Sequence, residues 1–297
     1  MSPKPSGCIF CKSGENKWIY RERDYDIIQC LQCGGMFAWP RPSAEEIDRM
    51  YSHYVEIEPQ DLNETKHKAG VWDRVLKLLD YYSRTKGPLL DVGCGFGDFL
   101  RAAKAKGWTA FGIEVSKTSA DLAKKEVGLN IFEGTLQEAN YPEEFFSAVT
   151  FNDVLEHLEN PQIALEEAAR ITKTEGLLFI RVPNMGFHLF KFAIFHKVLK
   201  DKIKYLVGDT PRYFDTPLHL NYFTFKVLAD LLKKKGFEVI FVRNGYPTIY
   251  EEEVSRLRNR LVIPLYYLFE FLRRLSLNKL LLGNALEIIA VKKAANT

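Results

Sequence analysis

The 297-residue sequence is short of several features that would assign it to a class at once. It has no run of about 18 uninterrupted apolar residues, so no membrane-spanning helix is expected. It has almost no net charge: 41 lysines and arginines against 38 aspartates and glutamates leave +3, which gives no argument for a nucleic-acid partner. No internal repeat or low-complexity tract is present, and 46% hydrophobic residues exclude wholesale disorder. Behind Lys4 there is no apolar stretch, so a signal peptide is not expected and the expected compartment is the cytoplasm. Cysteine is scarce, yet four of the five fall in two Cys-x-x-Cys pairs, a spacing that in such a compartment reads as metal ligation before disulfides.

What is present divides into a small appendage and one full-sized domain. Residues 1–42 are broken and cysteine-rich. Cys8/Cys11 and Cys30/Cys33 flank a polar-aromatic stretch in which Lys17–Tyr20 and Tyr25–Ile28 suit a hairpin, and Pro40-Arg41-Pro42 closes the module. A connector over 43–70 begins with Ser43 and Glu46 as a capping box for a short helix. From residue 71 to 297, strand patterns alternate with helix patterns. Pro88–Val92, Thr109–Glu114, Phe146–Phe151 and Gly176–Val182 are apolar strands, and the stretches between them carry helical spacing with caps at Ser116 and Asn160. Thr224 caps a helix to Lys235, after which Phe237–Val242 and Leu286–Val291 are further strands. Such alternation predicts an α/β fold whose parallel sheet is covered by helices on both faces.

The first of these strands runs into Asp91-Val92-Gly93-Cys94-Gly95-Phe96-Gly97. A glycine-rich turn there lets a ligand approach the backbone and aims the amides of the next helix at it, and Glu114 ends the second strand where ribose hydroxyls can be bound. Dinucleotide enzymes share this plan, but their third glycine would fall at Asp98. Cys94 reads as a small residue packed in the turn rather than a nucleophile.

Leu90–Gly97 resembles motif I of the class I S-adenosylmethionine (SAM)-dependent methyltransferases. Asn152-Asp153-Val154-Leu155-Glu156-His157-Leu158-Glu159-Asn160-Pro161 resembles that family's segment after the fourth strand. Pro217-Leu218-His219-Leu220-Asn221-Tyr222-Phe223-Thr224 and Gly236-Phe237 are similar to the lead into its penultimate helix and strand. The resemblance runs in order over residues 70–295 and implies a Rossmann-like sheet of seven strands. It also implies roles: Asp91 orients the SAM amino group, Gly93, Gly95 and Gly97 line the methionine and ribose, and Glu114 accepts the ribose hydroxyls. Leu136 or Gln137 borders the adenine, and Asn152 faces the methionine portion.

Methyl transfer from a sulfonium needs alignment of the acceptor and, for a hydroxyl acceptor, removal of its proton. His157 and His219 stand where the family builds its acceptor pocket and are the candidate bases, with hydrogen bonding that holds the loop as the other reading of each. Asp153-x-x-Glu156-His157 also resembles the acid-x-x-Glu-His set of ubiquinone-type O-methyltransferases, which implies a possible divalent ion.

Cys8, Cys11, Cys30 and Cys33 match a four-thiolate zinc ribbon, with structural Zn²⁺ expected; a redox dithiol and a nucleic-acid finger are the competing readings. A zinc ribbon ahead of a methyltransferase domain is similar to proteins of surface-polysaccharide and sugar-modification pathways. The expected acceptor is therefore a hydroxyl of a sugar, glycolipid or related small molecule, with a quinone- or phenol-type O-methyltransferase and a non-catalytic SAM binder as alternatives; nucleic acid is not an expected partner. Two insertions, 186–220 and 246–284, mix apolar and basic residues. Within them, 187–206 and 261–282 suit either a lid or a peripheral contact with the inner face of a membrane and a lipid-linked sugar acceptor.

Overall fold

Strand β4 (Pro88–Val92) lies inside a seven-stranded sheet, between β7 (Phe146–Asn152) and β5 (Thr109–Glu114). The other strands are β6 (Asn130–Glu133), β8 (Thr172–Pro183), β10 (Phe237–Asn244) and β11 (Ala285–Lys292). The computed structural model describes residues 5–43, 45–47, 62–127, 129–192, 214–247 and 253–294. The strand order is β10-β11-β8-β7-β4-β5-β6. The five strands from β6 to β8 are parallel, and β11 pairs antiparallel with both β8 and β10.

The sheet is apolar on both faces because alternate residues of each strand point to opposite sides. Leu89, Ala148, Leu177, Phe179 and Ile289 turn to one face. There they meet helix α1 (Leu62–Tyr82) through Val71, Val75, Leu76 and Leu79, and helix α2 (Asp98–Ala105) through Phe99, Leu100 and Ala103. Leu90, Val149, Leu178, Ile180 and Ile288 turn to the other face. They are covered by α4 (Pro161–Ile171) and by α6 (Phe225–Lys234), which follow α3 (Lys117–Val127) and α5 (Met185–Phe192) in the chain. Local chemistry sets the boundaries. Asn160 accepts from the Gln162 amide with Pro161 behind it, and Thr224 accepts from the Val227 amide. Helix α7 (Glu253–Leu275) lies in the second insertion.

The cysteine-rich segment forms the expected hairpin, β1 (Asn16–Glu22) against β2 (Tyr25–Cys30), and adds β3 (Met36–Trp39). A fourth strand comes from the other end of the chain: β9 (Asn221–Tyr222) pairs with β3, Met36 opposite Tyr222 and Phe37 opposite Asn221. The sequence reading treated this module as an appendage, whereas its sheet is completed by the methyltransferase-like domain. The reason is that an edge strand leaves unpaired N–H and C=O groups, which β9 satisfies. Ser43 and Glu46 do form a reciprocal capping box, with both backbone amides bonded at 2.7 and 3.2 Å. The rest of the connector, 48–61, and the centre of the first insertion, 193–213, lie outside the described residues, as do 248–252 of the second. Among the described residues no helix is long and apolar enough to cross a membrane.

Candidate active site

The turn after β4 is pinned to β5 by two amides sharing one carbonyl: Gly93 and Cys94 both donate to Ile113 O, at 2.8 and 3.0 Å. Gly93, Gly95 and Gly97 all have positive φ, at 70, 53 and 80°, a region in which side chains are strained. Their surroundings differ. A Cβ on Gly93 would lie 2.6 Å from Val154, whereas one on Gly95 would meet open space. Gly95 therefore faces open space, and Gly97 is the N-cap of α2 and supplies no side-chain cap. Cys94 is buried and burial pushes its thiol up, so it fills the turn and is no nucleophile.

Two acids flank the turn. Glu114 is nearly buried and its two oxygens accept from the amides of Gly95 and Ser116, each at 2.8 Å. Asp91 is buried at the end of β4, and its Oδ1 accepts from Thr150 Oγ1 at 2.6 Å and from Asn152 Nδ2 at 2.8 Å. Burial pushes the Asp91 carboxyl up to about 7, against the lowering by these two donors. The other polar atom of Asn152, Oδ1, is buried without a partner. A buried acceptor and a buried carboxyl without a counter-cation suit a ligand that carries an ammonium group and hydroxyls. The donor set fits SAM: Glu114 for the ribose, Gly95 for close approach, Asp91 and Asn152 for the methionine end. Of the two candidate adenine neighbours, Leu136 is packed into the core and Gln137 is exposed.

His157 and His219 come together, their ring centroids 5.0 Å apart. His157 Nδ1 lies 2.8 Å from Leu218 O, and since a carbonyl only accepts, that nitrogen carries the proton and Nε2 keeps its lone pair. Burial lowers both imidazoles. His157 falls below its ordinary value despite Leu218 O and the negative charges nearby, and His219 is pushed down to about 4, its neighbour His157 adding to the effect. Both rings are therefore neutral at pH 7.

The acid-x-x-Glu-His expectation is corrected here. Asp153 stands at positive φ, 57°, and Arg181 Nε donates to both of its oxygens at 3.1 Å, so it is not part of the cluster. His219 takes that place: an oxygen of Glu156 and a ring nitrogen of each histidine lie within 4.8 Å of one another. Burial raises the Glu156 carboxyl well above its ordinary range, and its Oε2 has no partner. Arg181 continues to Glu287 Oε1 at 3.0 Å, and Arg243 holds the other oxygen at 2.6 Å.

Several residues were missed by sequence reasoning. Thr150, Arg181 and Glu287 each interrupt the apolar run of a strand, a signal that was there to read. His188 on α5 contributes to lowering His219, which places three histidines of the chain in one region. Nothing in the sequence pattern joined it to the other two.

The four thiols of the N-terminal module also converge. Cys8 and Cys33 sulfurs are 3.6 Å apart, those of Cys11 and Cys30 are 3.5 Å apart, and all four lie within 4.8 Å of one another. Backbone amides of Phe10 and Gly35 donate to Cys8 Sγ and Cys33 Sγ, the arrangement of two knuckles around a cation. Burial pushes the Cys8 thiol up to about 11, so four thiols at this spacing without disulfides suit a tetrahedral Zn²⁺, whose charge would ionise them.

Residues 63–242 match the family model described as a methyltransferase domain. An uncharacterized protein of Methanocaldococcus jannaschii is 27% identical over 209 residues, covering 67% of this chain and 74% of that one. A ubiquinone biosynthesis O-methyltransferase of Alkalilimnicola ehrlichii is 32% identical over 127 residues, 39% of this chain and 51% of its own length. In structure, the chain is similar to a Burkholderia thailandensis 1,6-didemethyltoxoflavin-N1-methyltransferase with bound S-adenosylhomocysteine, at a TM-score of 0.54 and 14% identity over 94% of this chain and 100% of the other. With the matched domain spanning the glycine turn, the acid pair and the histidine loop, the chain belongs to the methyltransferase-domain family and is a class I SAM-dependent methyltransferase.

Proposed function

We propose that the enzyme methylates a hydroxyl of a sugar, glycolipid or related small molecule, and that His157 and His219 take the hydroxyl proton. The observation that carries this reading is the fixed tautomer of His157. Its Nδ1 is committed to Leu218 O, so its Nε2 lone pair is available beside a second neutral imidazole. SAM supplies the electrophilic methyl group, and its sulfonium sulfur departs as a neutral thioether when the methyl–sulfur bond breaks. The chain's part is to hold the ribose on Glu114 and the methionine end near Asp91 and Asn152, and to receive the proton released as the acceptor oxygen bonds to carbon. Burial raises the Glu156 carboxyl well above its ordinary range, which disfavours a negative charge beside an electron-rich acceptor.

The experiment is a SAM-dependent screen against nucleotide sugars, lipid-linked sugars and quinone precursors, repeated with His157→Ala and His219→Ala. Turnover at saturating SAM that survives both substitutions would remove the proposed role. A quinone or phenol acceptor is the second reading, which the named function of the Alkalilimnicola relative supports.

A lipid-linked acceptor is supported by α7. Leu265, Leu268, Phe271 and Leu275 recur at helical spacing and are all exposed, from 45 to 66%, with Arg274 and Lys279 beside them. Such a stripe suits an anionic bilayer surface. Phe187 packs on Phe269 and joins the stripe to α5. We also propose that Cys8, Cys11, Cys30 and Cys33 hold a structural Zn²⁺, on the convergence of their sulfurs.

A further inference from the structure

We propose that the four-cysteine module forms a working wall of the acceptor site, and that Arg41 is the positioning residue through which it sets the two histidines. The inference rests on reading His157 and His219 as the acceptor-side pair, but its geometry is independent of the acceptor.

The two histidines ride on separate segments, 154–160 after β7 and 214–223 ahead of α6. Neither segment is a strand or helix through most of its length, so its shape depends on tertiary hydrogen bonds. Arg41, just past β3, bridges both. Its Nη1 donates to Leu220 O at 2.7 Å, next in chain to His219. Its Nη2 donates to Leu158 O at 3.1 Å and Glu159 O at 2.6 Å, next to His157. The same Nη2 is 3.2 Å from Asn221 Oδ1.

Asn221 is the other half of this latch. It is buried, 1% exposed, and its amide nitrogen donates to Leu155 O and Leu158 O at 3.0 and 2.6 Å. Glu156 O then accepts from the amides of Leu220 and Asn221. A planar guanidinium with five donors can serve several carbonyls that diverge from one point; a point-charge ammonium cannot.

The module has further grips on the second of these segments and on the start of α4. The Ala38 amide donates to Leu220 O at 3.0 Å, and Gln162 Nε2 donates to Ile9 O. Buried Glu22 accepts from the amides of Phe214 and Thr216 at 3.1 and 3.0 Å. Phe10, between the first two cysteines, packs on Phe223 at 5.6 Å. None of these contacts reaches the glycine turn or Glu114. The module is therefore placed to set the acceptor side and leave the SAM side alone.

The test uses the full chain with ¹³C-labelled histidine, reading the imidazole cross-peaks of His157 and His219, assigned with His157→Gln and His219→Gln. The comparison is wild type against Arg41→Met and Arg41→Lys, with the SAM dissociation constant measured calorimetrically in each. Arg41→Met is expected to move both cross-peaks and to speed amide exchange of Leu220 and Asn221 at least about tenfold, while SAM affinity stays within about twofold. Arg41→Lys is expected to move the same cross-peaks by a smaller amount. Unchanged cross-peaks in Arg41→Met with SAM binding intact would overturn the proposal. If that variant fails to fold, unchanged cross-peaks in Arg41→Lys do so. No readout uses turnover, so a missing acceptor cannot be mistaken for failure of the latch.

Discussion

His157 Nδ1 sits 2.8 Å from the carbonyl of Leu218, one residue before His219, so His157 is held by the segment that bears its partner. That single bond decides which nitrogen of His157 can act. It also makes the pair sensitive to any movement between two segments that lie some 60 residues apart in the chain.

Removing either imidazole is expected to lower turnover by about 10²- to 10⁴-fold at saturating SAM, the range for a lost proton acceptor. SAM affinity should hardly change. The pH profile gives the sign: burial lowers both rings, a base works only when neutral, and activity is therefore lost as pH falls, with the acid limb below the usual histidine value near 6.5. A profile of kcat/KM for the acceptor at saturating SAM, where Asp91 is held charged by the bound ammonium group, checks it; an acid limb above pH 7 would count against the pair.

Asp91 makes a prediction about the donor. Its carboxyl is raised to about 7 in the free protein, and a bound ammonium group favours the charged form. SAM affinity should therefore rise as pH rises through about 7, and binding below that pH should release a proton. Calorimetry in buffers of different ionisation enthalpy measures the proton directly. Asp91→Asn should remove both effects.

The four thiols are expected to hold one Zn²⁺ per chain by elemental analysis. Cys30→Ser, or removal of the ion by a chelator, should lower the melting temperature by roughly 5–10 °C, corresponding to a few kcal/mol in a domain of this size. Protein isolated fully reduced with no bound metal would contradict the assignment.

On α7, Phe271→Asp together with Leu275→Asp should abolish co-sedimentation with vesicles containing anionic phospholipid. Each apolar side chain returned to water forfeits about 1.5–3 kcal/mol, so the pair amounts to a hundredfold or more in partitioning. No binding by the wild-type chain, with or without SAM, would leave the stripe as a lid.

Glu287 is completely buried between Arg181 and Arg243. Glu287→Gln removes the charge that both guanidinium groups face and is expected to cost on the order of 3–5 kcal/mol, seen in chemical denaturation. Because Arg181 also holds Asp153, the variant should loosen the loop that carries His157 as well.

Much of this protein is legible in its sequence for a plain reason. Strand and helix periods, the caps at Asn160 and Thr224, and the glycines at 93, 95 and 97 are local rules, satisfied by neighbours within a few residues. The strand limits therefore fell close to where periodicity placed them, and the glycine turn could be read directly. Asp91, Glu114 and Asn152 end three adjacent parallel strands, so their convergence follows from the alternation alone.

Other features depended on contacts between distant segments. Asp153 reads as a partner of Glu156 and His157 by spacing, yet Arg181 is within reach, its Nε donates to both carboxylate oxygens, and the opposite charge holds Asp153 there. The module at residues 5–42 reads as an appendage, because only the fold shows Asn221–Tyr222 completing its sheet and Arg41 crossing to two loops. The sequence by itself determined the strand-helix alternation, the glycine turn after Asp91 and the spacing of the four thiols, through short-range periodicity; the donor roles came with the resemblance to the family. The tertiary structure alone decided how the acceptor side is assembled, since that side is built from backbone carbonyls, which no side-chain pattern records.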